Sequence, residues 1–139
     1  MSPSFNHAYV SANLLVLLRK YTNYTALVEL SIEIQGKEYV PDITLYSKRK
    51  MQRSKDIIRM TEMPLLAIEV LSPKQSSLDV IEKIGIFFAN GVQSCWFIEP
   101  YLHIVTVYKS LDEFTTYTET MELQDDKIGI KMSIAEIFE

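Results

Sequence analysis

One run restricts the fold of this chain more than any other: Leu65-Leu66-Ala67-Ile68-Glu69-Val70-Leu71, opened by Pro64 and closed by Ser72-Pro73. Its odd and even positions are both apolar, so a strand formed here is covered on both faces and lies centrally in a sheet. Ser76, with Asp79 three residues on, has the form of a capping box ahead of Val80, Ile81, Ile84 and Phe88. That predicts a helix from about Leu78 to Ala89, closed by Asn90-Gly91. Ser94 to Glu99, with Trp96, then reads as a further strand. A helical crossover between two strands implies that they run parallel and that the helix covers a sheet face. The class is therefore α/β with a mixed sheet.

The other segments supply the remaining layers. From Ser4 to Tyr21 the residues Val10, Leu14, Leu15, Leu17, Leu18 and Tyr21 recur at three- and four-residue steps, which predicts an amphipathic helix capped by Ser4. His7 continues its buried stripe. Val28, Leu30, Ile32 and Ile34 alternate with polar residues as one half-exposed strand, ended by Gln35-Gly36. Val40 to Tyr46 is a short strand opened by Pro41, with Asp42, Thr44 and Tyr46 on one face. Leu102 to Tyr108 and Phe114 to Glu119 complete a C-terminal hairpin, with His103 as a surface residue, and Ser133 to Phe138 is one helical turn.

With 139 residues, 47% of them hydrophobic, the chain is read as one domain over 1–139. No apolar run approaches the roughly 18 residues that a membrane span needs. The residues Met1 to His7 do not resemble a secretory signal, and Cys95 has no cysteine partner and reads as core packing. A cytoplasmic protein is expected. The net charge of −4 argues against coating nucleic acid by bulk electrostatics. Its distribution is uneven, however: Lys48, Arg49, Lys50, Arg53, Lys55 and Arg59 are opposed only by Asp56, a local excess of +5. Such a patch binds phosphates or is simply a solvated face.

Glu69 is the most informative side chain, because a carboxylate inside an apolar strand loses its hydration and must be paired, metal-bound or protonated. Asp42 opens another strand, and adjacent strands place two such side chains within about 5 Å when both point to one face. Together with a main-chain carbonyl such as that of Val70, they make an oxygen-rich site suited to Mg²⁺ or Mn²⁺. The competing reading is a Glu69 satisfied by a lysine or arginine, with Asp42 a plain strand-edge residue. Lys83 shares a helix face with Asp79 and Phe87; turned towards Glu69, it orients a water or neutralises charge on a phosphate, and otherwise it is solvated. The chain has no G-x-S-x-G elbow, no phosphate-cradling loop, no H-E-x-x-H and no spaced cysteines, which argues against those hydrolase and transferase chemistries.

The stretches Pro41-Asp42-Ile43-Thr44-Leu45, Leu66-Ala67-Ile68-Glu69-Val70-Leu71-Ser72-Pro73, Asp79, Glu82-Lys83, Asn90-Gly91-Val92 and Trp96-Phe97-Ile98-Glu99-Pro100 follow one another in order. This pattern resembles the bacterial Uma-two family of restriction-endonuclease-like proteins, a branch of the PD-(D/E)XK superfamily. The likeness runs from about Ser2, where Ser2-Pro3 and His7 resemble the start of the family's first helix, to Ile137-Phe138. It implies an αβββαβ core with an added hairpin, Asp42 and Glu69 as metal ligands, and Mg²⁺-dependent hydrolysis of DNA. The superfamily's usual lysine falls two residues after the second acid, where this chain has Leu71. Like the Uma-two family, it carries a lysine in the following helix, Lys83, and His7 matches a helix position that faces the site. Many members carry a further segment before the first helix. This chain starts almost at that helix, which favours the expectation of a homodimer covering the exposed edge or of a shortened, inactive copy; the alternative to a nuclease is a catalytically silent relative that binds nucleic acid or forms oligomers.

Overall fold

The computed structural model describes residues 4–139, so the Ser2-Pro3 pair lies outside the described residues. Helix α1 (Phe5–Leu18) starts at Ser4, whose Oγ accepts from the His7 amide at 3.2 Å, and it buries Val10, Leu14, Leu17 and Leu18. The chain continues through β1 (Tyr24–Val28), β2 (Ser31–Ile34), β3 (Lys37–Tyr39), β4 (Ile43–Ser47), β5 (Arg59–Met60) and β6 (Leu66–Val70). Helix α2 (Ser77–Ala89) leads to β7 (Ser94–Glu99), β8 (Ile104–Tyr108), β9 (Phe114–Tyr117), β10 (Glu122–Asp125), β11 (Ile130–Ser133) and α3 (Ile134–Phe138).

Six strands form the central sheet in the order β1-β4-β6-β7-β8-β9. Every residue of β6 is buried, as a doubly covered strand requires. Strands β6 and β7 pair in parallel, Ile68 beside Trp96, and the other neighbours in the sheet pair antiparallel. The capping box of α2 is present in both directions between Ser76 and Asp79. On one face α1, α3 and the β10-β11 hairpin enclose Leu14, Ile43, Ile68, Trp96 and Ile137. On the other, α2 and the small sheet β3-β2-β5 enclose Tyr46, Ala67, Ile84, Phe87 and Phe97. Among the described residues no helix is long and apolar enough to cross a membrane.

The structure departs from the sequence reading at identifiable places. The run Val28 to Ile34 is not one strand: Glu29 takes φ 50°, and the chain leaves the central sheet there to enter the small one. Strand β4 starts at Ile43, after Pro41 and Asp42. The segment before Ile104 is a 3-10 turn over Pro100–Leu102. His103 is therefore no strand residue; it sits in the left-handed region, stacks on Phe138 at 4.7 Å and bonds to Glu119. Strand β3 is too short to stand out in sequence, whereas Ile128, Ile130, Met132 and Ile134 alternate and could have been read as one strand of the β10-β11 hairpin. Long-range packing forms the latter, with Asp125 accepting from Ser94 Oγ at 3.2 Å and Trp96 Nε1 at 2.9 Å.

Candidate functional site

The register of β4 against β6, Ile43 opposite Ile68, places Asp42 across from Glu69 one step further on. The backbone continues that pairing, since the Asp42 amide donates to the Ile68 carbonyl at 3.1 Å. Asp42 Oδ2 accepts from the Val70 amide at 2.7 Å, and His7 Nε2 lies 3.0 Å from Asp42 Oδ1. The first turn of α1 delivers His7, while α2 delivers Lys83, whose Nζ lies 3.6 Å from Glu69 Oε1. At that distance the two groups are within electrostatic reach but not hydrogen-bonded. Glu69 is only 4% exposed, and its Oε1 has no hydrogen-bond partner.

The electrostatics follow from this placement. Burial, then the neighbouring Asp42 charge, pushes the Glu69 carboxyl up to about 8, against the opposing pull of Lys83. His7 is held above its ordinary value by its hydrogen bond to Asp42, against burial. Its other ring nitrogen, Nδ1, is buried without a partner. Cys95 lies in the core, where burial drives its thiol well above the ordinary range, so it is no nucleophile.

These groups open onto a cleft of about 300 Å³ at the carboxyl end of β6. His7, Asp42, Glu69, Val70 and Lys83 all line it. Glu29 and Lys74 line it too, and the sequence reading named neither for the site. Lys74 follows the Ser72-Pro73 break before a capped helix, a position that could have been noticed. Glu29 carries no such signal, because the turn that aims it is set by its positive φ. Among the described residues no group of three or more His, Cys, Asp or Glu side chains is placed to hold a metal. The donor set on offer is two facing carboxylates, one with an orphaned oxygen. It suits a hard cation that keeps several waters and takes one or two carboxylates from the protein.

None of the six basic residues between Lys48 and Arg59 lines the cleft. Arg49 is engaged by Glu62, with Nη1 2.8 Å from Oε1, and stands 4.8 Å over the Tyr46 ring. Arg59 lies 3.6 Å from Glu33 and 3.5 Å from Glu38. Lys48, Lys50, Arg53 and Lys55 make no ion pair among the described residues.

Comparison with known proteins places the chain. The model of the Uma2 family, described as "Putative restriction endonuclease", matches residues 1–134. The chain therefore belongs to that family. A crystal structure from Anabaena variabilis, described as a putative nuclease, is 21% identical and covers 99% of this chain and 83% of its own, with a TM-score of 0.83. At that identity the likeness establishes the fold. No match was found among curated proteins.

Proposed function

From its membership of the Uma2 family, we propose that this chain is a nuclease that hydrolyses DNA phosphodiester bonds in the cleft, with Mg²⁺ or Mn²⁺ held by Asp42 and Glu69. The observation that carries this reading is the buried Glu69 carboxyl, with its unpartnered oxygen, facing Asp42 across the sheet. Bound there, the cation would supply Lewis-acid polarisation of a phosphoryl oxygen. The protein's own groups do the rest. Asp42 is oriented from two sides, by the Val70 amide and by His7, so its carboxylate meets the cleft in one conformation. Burial and the Asp42 charge favour the protonated form of Glu69, and a cation held in the cleft would favour its carboxylate. The Lys83 ammonium stands where it can orient a water or neutralise charge gathering on the phosphate. Lys48, Lys50, Arg53 and Lys55 are free to track the DNA backbone. Asp42→Asn and Glu69→Gln are expected to abolish metal-dependent cleavage with the circular dichroism spectrum unchanged, and undiminished cleavage would sink the mechanism.

A second reading has its own observation. Both Asp42 oxygens already accept hydrogen bonds, as a silent relative that only binds nucleic acid or a partner would retain for structural reasons. Salt-sensitive DNA binding that ignores Mg²⁺, with no products from any DNA, would favour it.

A further inference from the structure

The loop between β4 and β5 carries a feature that phosphate tracking leaves unused. Met51 is 90% exposed, Ile57 58% and Ile58 86%, and these three large apolar side chains stand among Lys50, Arg53 and Lys55, which make no ion pair among the described residues. Isolated exposed apolar residues are ordinary, but a group of them on one loop marks an interaction site. The base of the loop is fastened. Thr25 Oγ1 donates to the Arg49 carbonyl and accepts from its amide, the Arg49 guanidinium grips both carboxylate oxygens of Glu62, and Tyr46 Oη donates to the Glu62 carbonyl. The one acid of the stretch, Asp56, is exposed, with its Oδ1 accepting from the Ile57 amide at 2.8 Å.

The path of the loop ties it to the cleft. It leaves β4 at Ser47, about 16 Å along the strand from Asp42 at roughly 3.3 Å per residue. It returns at Arg59, which pairs with Ser31, two residues from the cleft-lining Glu29 and so within about 7 Å of chain. The loop thus leaves β4 at the far end of the sheet and returns beside β2, where Ile58 immediately precedes the residue that pairs with Ser31.

Resting on the nuclease reading, we infer that Ile57 and Ile58, with Met51, are a wedge that enters a base step of duplex DNA and kinks it while the loop's cations hold the flanking phosphates. The chemistry selects this partner. Aliphatic side chains flanked by Arg and Lys are what minor-groove proteins insert between base pairs, whereas single strands are bound by aromatic stacking. The loop from Lys48 to Ile58 has no aromatic residue. A kink at the loop would bend one backbone towards Asp42 and Glu69.

The test uses the full chain in chelator, where nothing is cut, and a duplex of about 25 base pairs labelled at both ends. End-to-end energy transfer reads the bend, and anisotropy at several salt concentrations reads affinity. The wild type is expected to shorten the end-to-end distance. Ile57→Ser/Ile58→Ser should abolish that change and weaken binding about tenfold, with the salt slope kept, since phosphate contacts alone set the slope. Lys50→Gln/Arg53→Gln/Lys55→Gln should instead flatten the slope. Bending by the isoleucine variant equal to wild type overturns the inference, as does an unbent wild-type complex or no binding. Tighter binding of phosphatidylserine vesicles than of the duplex also overturns it, in favour of a lipid surface. Cleavage with Mg²⁺ is scored separately: cutting without bending sinks the wedge alone, and bending without cutting sinks the nuclease reading alone.

Discussion

Replacing Glu69 by glutamine should stabilise the metal-free protein at high pH and leave it nearly unchanged at low pH. The Glu69 carboxyl titrates at about 8 in the folded chain against 4.5 as its ordinary value. The folded state therefore binds more protons than the unfolded state between those values, and the stability that protonated Glu69 contributes is full below pH 4.5 and is lost as pH rises through 8. A gap in that direction is worth several kcal/mol, at about 1.4 kcal/mol for each pH unit, a large share of a small domain's stability. The glutamine side chain would keep the shape of the protonated acid and does not titrate. Urea unfolding in chelator should show the two proteins equal near pH 4.5, with the variant ahead by several kcal/mol at about pH 9. In the wild type, Mg²⁺ or Mn²⁺ at about 100 times its Kd should restore about 2.7 kcal/mol at about pH 8, and in the variant almost none. A variant less stable than wild type at high pH, or a difference that ignores pH, would refute the reasoning. It would mean that Glu69 is charged throughout and serves as the ion-pair partner of Lys83, 3.6 Å away.

Asp42→Asn should cost about 1–2 kcal/mol, because one amide oxygen cannot accept from both His7 and Val70. Removing the Asp42 charge should also move the Glu69 titration down towards its ordinary range, visible in the carboxyl carbon shift by NMR. Ser76→Ala removes half of the α2 capping box and should cost about 1 kcal/mol by urea unfolding, with activity per folded molecule little changed. Asp125→Ala leaves Ser94 Oγ and Trp96 Nε1 without an acceptor in the core and should cost about 3 kcal/mol or more, read as a lowered urea midpoint and an altered Trp96 emission.

How far the site could be read from sequence differs residue by residue. Glu69 stood out because a carboxylate in a run of apolar residues contradicts its surroundings wherever that run lies. Asp42 and Lys83 could be named only as conditional partners. Their approach depends on the register of β4 and on the rotation of α2, and both are set by packing between segments distant in sequence. Glu29 could not be found at all, since its place in the cleft follows from a backbone reversal inside an alternating apolar pattern that otherwise reads as one strand.

By itself the sequence determined the elements whose cause is local. Apolar periodicity and the Ser4 and Ser76 caps mark α1 and α2; the unbroken apolar run marks the buried β6, and the crossover helix makes β6 and β7 parallel. The tertiary structure alone decided that Val28 and Ser31 belong to different sheets, that β10 and β11 pair, and that the basic loop does not line the cleft. The physical reason is one of range. Caps, turns and side-chain periodicity act over a few residues and are written in neighbouring letters, whereas the position of Asp42 against Glu69 is fixed by hydrogen bonds and packing that join residues 27 apart, for which no short stretch of sequence carries a record.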